Sequence, residues 1–172
     1  NSIDPRFENL KNIQKVFLHC FYKSKKTDFL FKQLTSNDKI DFSRYNYFYA
    51  KYLANSGKIK QAEQLIDSSL ELNPRNLLLN QYKLDLNNNN NQNNFNCEKQ
   101  SNVIAEILYI TANALSTQNI YTLSNFYLNL AKYLNAQFFS FDTLLAENFY
   151  KIDNFKEAKK IYNDIGKKGE AF

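Results

Sequence analysis

The stretch Ala146-Glu147-Asn148-Phe149, followed by Asp153-Asn154-Phe155-Lys156-Glu157-Ala158 and Tyr162, decides how this chain is read. Ala146 and Phe149 stand three residues apart and Ala158 and Tyr162 four, the spacing of one helix face. The polar pair Asp153-Asn154 interrupts the pattern, so two helices, about Phe139–Lys151 and Phe155–Ile165, are predicted with a tight turn between them. A shift of the chain that lays Ala112 on Ala146 also lays Leu115 on Phe149, Tyr121 on Phe155, Ser124 on Ala158, Leu128 on Tyr162 and Ala131 on Ile165. A further copy lies upstream, where Ala50, Leu53, Ile59, Ala62, Ile66 and Ser69 take the same six places at one common offset. That offset falls short of two periods, so the intervening unit is irregular. A fixed period of about 34 residues is the mark of a helical repeat.

The rest of the chain reads as helices too. Asp4-Pro5 is a good helix start, the carboxylate capping and the proline at the first helical position. Leu10, Ile13, Val16, Phe17, Cys20 and Phe21 recur at helical spacing through about Tyr22, and a shorter helix covers Phe29 to Leu34. Thr35 to Lys39 is expected to be a loop. Helices are predicted over Phe42–Asn55, Ile59–Leu72 (ended by Asn73-Pro74), Leu77–Leu86, Ser101–Thr117 and Ile120–Leu134. Asn87 to Asn96 holds eight Asn, one Gln and Phe95. Asn side chains compete for backbone hydrogen bonds, so a mobile loop is expected there.

The pattern resembles the tetratricopeptide repeat family. The motifs that carry it are Ala146…Phe149…Asp153-Asn154-Phe155-Lys156-Glu157-Ala158…Tyr162 and Ala50…Leu53…Gly57…Ala62…Ile66…Leu70…Leu72-Asn73-Pro74. Small residues at Ala50 and Ala62 let two helices approach closely, with Leu53 and Ile66 filling the space beside them. The resemblance implies an all-α chain of antiparallel helical hairpins stacked as a right-handed α-solenoid. Residues 1–42 form an N-terminal hairpin without the signature, 43–76 a repeat, 77–100 an irregular helix with the Asn-rich loop (87–96), 101–138 a repeat, and 139–172 a repeat truncated at its end. Asn46 and Asp142 stand where the family's first helix usually carries an aromatic residue.

The resemblance also implies a noncatalytic scaffold that binds a peptide or partner helix along the first helix of each hairpin. The groove residues carried over are Tyr47 and Lys51, Tyr109 and Asn113, Thr143 and Glu147. A carboxylate clamp of the Hsp70/Hsp90-binding type is not expected, because Glu147 puts an acid where a base is required. Two other readings compete: an accessory repeat region of a larger enzyme, and an RNA-binding helical repeat using Tyr45, Tyr47, Tyr49, Tyr52 and nearby lysines. Helical spacing puts Tyr45, Tyr49 and Tyr52 on one stripe, expected to be core, with Tyr47 elsewhere.

Composition narrows the choices further. Three Gly and two Pro leave little turn chemistry for an all-β fold, and no glycine cluster exists to cradle a phosphate. With 26 Asn, and 19 Lys against 3 Arg, much of the composition has the texture of AT-rich codons. The formal charge of +5 lies in residues 1–86, with 14 basic and 9 acidic side chains, against 8 and 8 beyond. Spread lysines of this kind read as a solvated face, so a nucleic-acid partner is not favoured. His19, Cys20 and Cys97 are too few for a mononuclear zinc site. Neither a metal nor another cofactor is expected, and no nucleophile motif supports catalysis. Cys20 reads as a small core residue, and pairing with Cys97 is left open by the sequence. No apolar run is long enough to span a membrane, so a soluble chain, cytoplasmic or periplasmic, is expected. The absence of methionine suggests an internal piece of a longer, bacterial protein.

Overall fold

A computed structural model describes residues 5–36, 43–88, 94–167, 169 and 171. Among them the chain is all-helical, with nine helices and no strand: α1 Pro5–Phe21, α2 Thr27–Thr35, α3 Ser43–Asn55, α4 Ile59–Leu72, α5 Leu77–Asn87, α6 Gln100–Thr117, α7 Tyr121–Leu134, α8 Ser140–Lys151 and α9 Phe155–Ile165. The bounds read from periodicity agree to within a residue or two. The cap at Asp4, the start at Phe42 and most of the Thr35–Lys39 loop lie outside the described residues.

The chain divides into two compact units: residues 1–90 with 96–100, and residues 91–95 with 101–172. In the first unit, α1 buries Ile13, Val16, Phe17 and Cys20 along one face, as its spacing requires. Phe17 sets its ring edge against Phe31 of α2 and Phe48 of α3, with centroids 6.5 and 5.3 Å apart. Tyr49 stacks on Phe31 and donates its hydroxyl proton to Asp28 Oδ1 at 2.9 Å. Burial pushes the Asp28 carboxyl up, but hydrogen bonds from Lys32 and Tyr49 and the charges of Lys32 and Lys58 outweigh it and hold the group below its ordinary value. Ala62 and Ile66 of α4 are completely buried. Cys20 and Cys97 form a disulfide, their Cα atoms 5.8 Å apart, which ties residues 96–100 to α1.

The second unit is built on small residues at the repeat positions. Ala112, Ser124, Ala131 and Ala146 are completely buried and Ala158 nearly so. Ser124 Oγ donates to Ala112 O at 2.8 Å, so a hydroxyl at the close approach of α6 and α7 is satisfied by the backbone it meets. Lys132 of α7 forms an ion pair with Asp142 of α8. The buried Asp142 carboxylate thus meets its counter-charge across the α7–α8 packing. Phe95, inside the Asn-rich tract, is buried against Phe138 with centroids 5.8 Å apart, and Asn135 Nδ2 donates to Asn94 O at 2.9 Å. The tract was expected to be loop throughout. Of it, 89–93 lies outside the described residues, Asn87 ends α5, and Asn94 and Phe95 are core residues.

One turn recurs four times. After α3, Lys58 N–H donates to Leu53 O (2.9 Å) and Gly57 N–H to Ala54 O (3.0 Å), with Gly57 at φ 78°. This is the Schellman C-cap, in which a left-handed residue lets the N–H groups just past the helix donate to its free last carbonyls. The same pair of bonds runs from Ile120 to Leu115 and Asn119 to Ser116 after α6, and from Asn154 to Phe149 and Asp153 to Tyr150 after α8. Asn119 and Asp153 sit at φ 62° and 59°. The carbonyls reached, on Leu53, Leu115 and Phe149, belong to the bulky positions of the sequence repeat. After α1 the motif appears again, Ser24 to His19 and Lys23 to Cys20, with Lys23 at φ 52°. The interval from Lys23 to Gly57 equals that from Asn119 to Asp153, so the α1–α2 pair keeps the period at its turn although its sequence lacks the signature.

The junctions between pairs repeat as well. Asn73 N–H donates to Ser69 O and Asn76 N–H to Asn73 O. At the offset that carries Ala50 onto Ala112, Asn135 donates to Ala131 O and Phe138 to Asn135 O. Helix α8 then opens behind a helical, uncapped Phe139, whereas α5 opens behind an extended Asn76. Asn76 caps α5, Oδ1 accepting from Leu79 N–H at 3.1 Å while Nδ2 donates to Ser43 Oγ at 3.0 Å.

Candidate binding site

The six groove residues carried over from the resemblance are distributed between the units: Tyr47 and Lys51 in the first, Tyr109, Asn113, Thr143 and Glu147 in the second. The first two are not on an open surface. Tyr47 is only 1% exposed, its ring set edgewise against Phe48 and Tyr82 at 5.3 and 5.1 Å. Lys51 is also buried, Nζ 5.3 Å above the Tyr82 ring. The reason is α5, which packs on both α3 and α4 and brings Tyr82 over the face expected to be open.

Around Lys51 the chemistry is that of a buried charge. Burial lowers its pKa to about 8, the charge of Asp85 opposing the fall. Asp85, one turn beyond Gln81, accepts from Gln81 Nε2 at 2.9 Å. Burial first, and then the charge of Asp85, push the Tyr82 hydroxyl well above its ordinary value. The tyrosines that motivated an RNA interface share this fate. Tyr45, Tyr47 and Tyr49 are buried, and Tyr52, expected on the core stripe, is half-buried with its ring 5.6 Å from that of Phe31.

In the second unit the remaining four residues are reachable. Asn113 and Glu147 are exposed, and Tyr109 and Thr143 half-buried. Two contacts bring α6 and α8 together: the Tyr109 and Phe141 rings, 5.7 Å apart, and Ser116 Oγ donating to Asn148 Oδ1 at 2.6 Å. Between those contacts α6 presents Asn113, one turn beyond Tyr109. Glu147 is on the side of α8 toward α9. The protein beside it raises its carboxyl above the ordinary value against the pull of Lys151, and Tyr162 of α9 is raised by burial and then by the charges of Glu147 and Tyr150. What stays reachable of the expected groove is thus an α6–α8 strip: Tyr109 and Asn113 on α6, Thr143 and Glu147 on α8.

Beneath this strip is a polar network absent from the sequence reading. Asn148, next to Glu147, is fully buried. Its Nδ2 donates to Ser124 Oγ and Asn125 Oδ1, both at 2.8 Å, while Oδ1 accepts from Ser116. Three helices meet on this one amide. The signal was present at Ser124, a hydroxyl residue at the place where the other copies have Ala62 and Ala158. His19, expected at the core or its boundary, is half-buried on α1.

Among the described residues, no group of three or more His, Cys, Asp or Glu is placed to hold a metal ion, and no helix is long and apolar enough to cross a membrane. No family model matches the chain, and no curated protein or solved structure matches it significantly.

Proposed function

We propose that this chain is a noncatalytic protein-interaction scaffold of the tetratricopeptide-repeat kind, its hairpins stacked as a right-handed solenoid, binding an extended peptide or partner helix. The observation that carries the reading is the joint recurrence, at the same two intervals along the chain, of the close-packed small positions and the Schellman turn. Repeats with one packing geometry generate a long, regular surface of parallel first helices, a surface suited to extended polypeptides.

Within that reading the ligand lies along α6 and α8. Asn113 hydrogen-bonds its backbone, Tyr109 supplies a flat apolar contact, and Thr143 and Glu147 contact its flank. A carboxylate at the edge favours a ligand with a basic residue there, as a matter of orientation more than affinity, since exposed ion pairs contribute only about 0–1 kcal/mol.

The test is capture of partners on the immobilised chain, compared with the double variant Tyr109→Ala plus Asn113→Ala, followed by binding measurements on each captured partner as a purified peptide. The expected result is loss of the partners with the double variant at unchanged helical content. Retention of every partner removes the α6–α8 strip as the site, and partners that vanish on nuclease treatment favour RNA.

A further inference from the structure

The three equivalent second helices of the repeats, α4, α7 and α9, differ on one face. At four matched positions α4 has Gln61, Gln64, Ser68 and Glu71, and α9 with its extension has Glu157, Lys160, Asp164 and Lys167. All are polar, as a solvated helix face should be. At the same positions α7 has Leu123, Phe126, Leu130 and Tyr133, which are 44%, 57%, 38% and 86% exposed. Ser124, Leu128 and Ala131 stay buried as the repeat requires, and Asn125, where α4 and α9 carry the exposed Glu63 and Lys159, is buried and accepts from Asn148.

The four residues are spaced i, i+3, i+7, i+10, the seam by which two helices interlock side chains. The face is also electrically silent. Helix α7 has no acidic residue, and its single basic one, Lys132, is engaged by Asp142. A charged partner finds nothing there to pair with, whereas a second copy of the same face meets no like-charge repulsion.

From this pattern we propose that α7 is a homodimer surface, two copies pairing antiparallel about a two-fold axis at the level of Leu128. The sequence is self-complementary about that level. Leu123 of one copy meets Tyr133 of the second, and Phe126 meets Leu130, so every layer holds one aromatic and one leucine side chain. Parallel pairing would instead set Phe126 on Phe126 and Tyr133 on Tyr133, giving uneven layers. The size suits a reversible dimer. At about 150–250 Å² per aromatic side chain, Phe126 and Tyr133 leave on the order of 300 Å² exposed per copy. With the leucines, two copies approach roughly 1,000 Å² in total, the lower bound of specific interfaces. This surface is on a different helix from the α6–α8 strip and does not depend on the peptide-binding reading.

The experiment is sedimentation equilibrium of the full chain from about 1 to 500 µM, a range that brackets a micromolar dissociation constant. The expected weight-average mass rises with concentration from 20.3 kDa toward twice that value, and does so equally in high salt, because the seam is uncharged. Phe126→Glu plus Leu130→Glu should raise the dissociation constant by about 30-fold or more with the helical signal intact. If that double variant loses helix, Tyr133→Glu, at the most exposed position, decides by the same reading. A wild-type chain monomeric at every concentration overturns the proposal, whatever else the face binds. So does a dimer that salt dissolves, or one that a folded variant retains.

Discussion

Asn148 Nδ2 lies 2.8 Å from Ser124 Oγ, and that hydroxyl donates in turn to the Ala112 carbonyl, also at 2.8 Å. A single chain of hydrogen bonds thus runs from α8 through α7 to the backbone of α6, with no polar atom of the amide left over. Such a network adds little while complete but is costly to break halfway, because its remaining members stay buried without partners. Asn148→Leu should cost about 1–3 kcal/mol, more than Ser124→Ala, which leaves the repeat's usual residue at a close approach. Urea unfolding of the two variants checks the order. An equal or reversed ranking would mean that the amide is not the hub.

The Cys20–Cys97 disulfide closes a loop with a sequence separation of 77 residues. Restricting the unfolded chain over such a span stabilises the folded state by about 2–4 kcal/mol. The neighbouring ion pair between Lys23 and Glu98, 2.7 Å and well exposed, contributes at most about 1 kcal/mol. Cys20→Ser plus Cys97→Ser should therefore lower the melting temperature by many degrees, and Glu98→Gln by little. Identical melting of the oxidised chain and the serine variant would contradict the tether.

Lys51 makes a signed prediction about pH. Its native pKa, lowered to about 8 by burial, lies below the unfolded value of about 10.4. Below pH 8 both states hold the proton, and the burial penalty is present in full. As pH rises from about 8 toward 10, the native state sheds the proton first and this penalty is relieved, so stability increases with pH. Above about 10 the buried hydroxyls of Tyr49 and Tyr82, raised by burial, reverse the trend, because the unfolded chain ionises more readily. Lys51→Met should raise stability at pH 7 by roughly 1–3 kcal/mol and remove the rise between pH 8 and 10. Denaturant unfolding across that window measures both, and a slope that survives in the variant would assign it to other groups.

Helix positions were legible because the apolar spacing is strong, and α4 and α9 begin and end where periodicity put them. The accessibility of α3 was not. Periodicity puts Tyr45 and Tyr47 on different faces, and the structure buries both, Tyr45 against Phe17 and Tyr47 against Tyr82. Which faces of a helix are covered depends on neighbours such as α5, whose placement is a tertiary fact. The packing of Phe95 was hidden for another reason. Eight Asn around it dominate any reading of local propensity, while one aromatic ring against Phe138 outweighs that propensity in burial energy. Four of the six expected groove residues, on α6 and α8, stay reachable, and Tyr47 and Lys51 do not.

The four recurring turns permit a test of the backbone independent of any packing. Gly57 is at φ 78°, and a Cβ built there has nothing within 4 Å. Any cost of Gly57→Ala is thus conformational. The left-handed region costs an alanine about 1–2 kcal/mol, offset in part by the smaller entropy of its unfolded chain, for a net loss near about 1 kcal/mol. Lys23 occupies the same conformation with a long side chain, so Lys23→Gly should reverse the sign and stabilise by about 0.5–1 kcal/mol. Asp153→Gly should be nearly neutral, because a short polar side chain already tolerates that geometry. The one confounding term is the exposed Lys23–Glu98 ion pair, which the glycine removes. Salt screens that pair, so the gain from Lys23→Gly should grow between low and high ionic strength, while the loss at Gly57 stays constant. Measured shifts that share one sign at Gly57 and Lys23 would show that these turns are not conformationally equivalent.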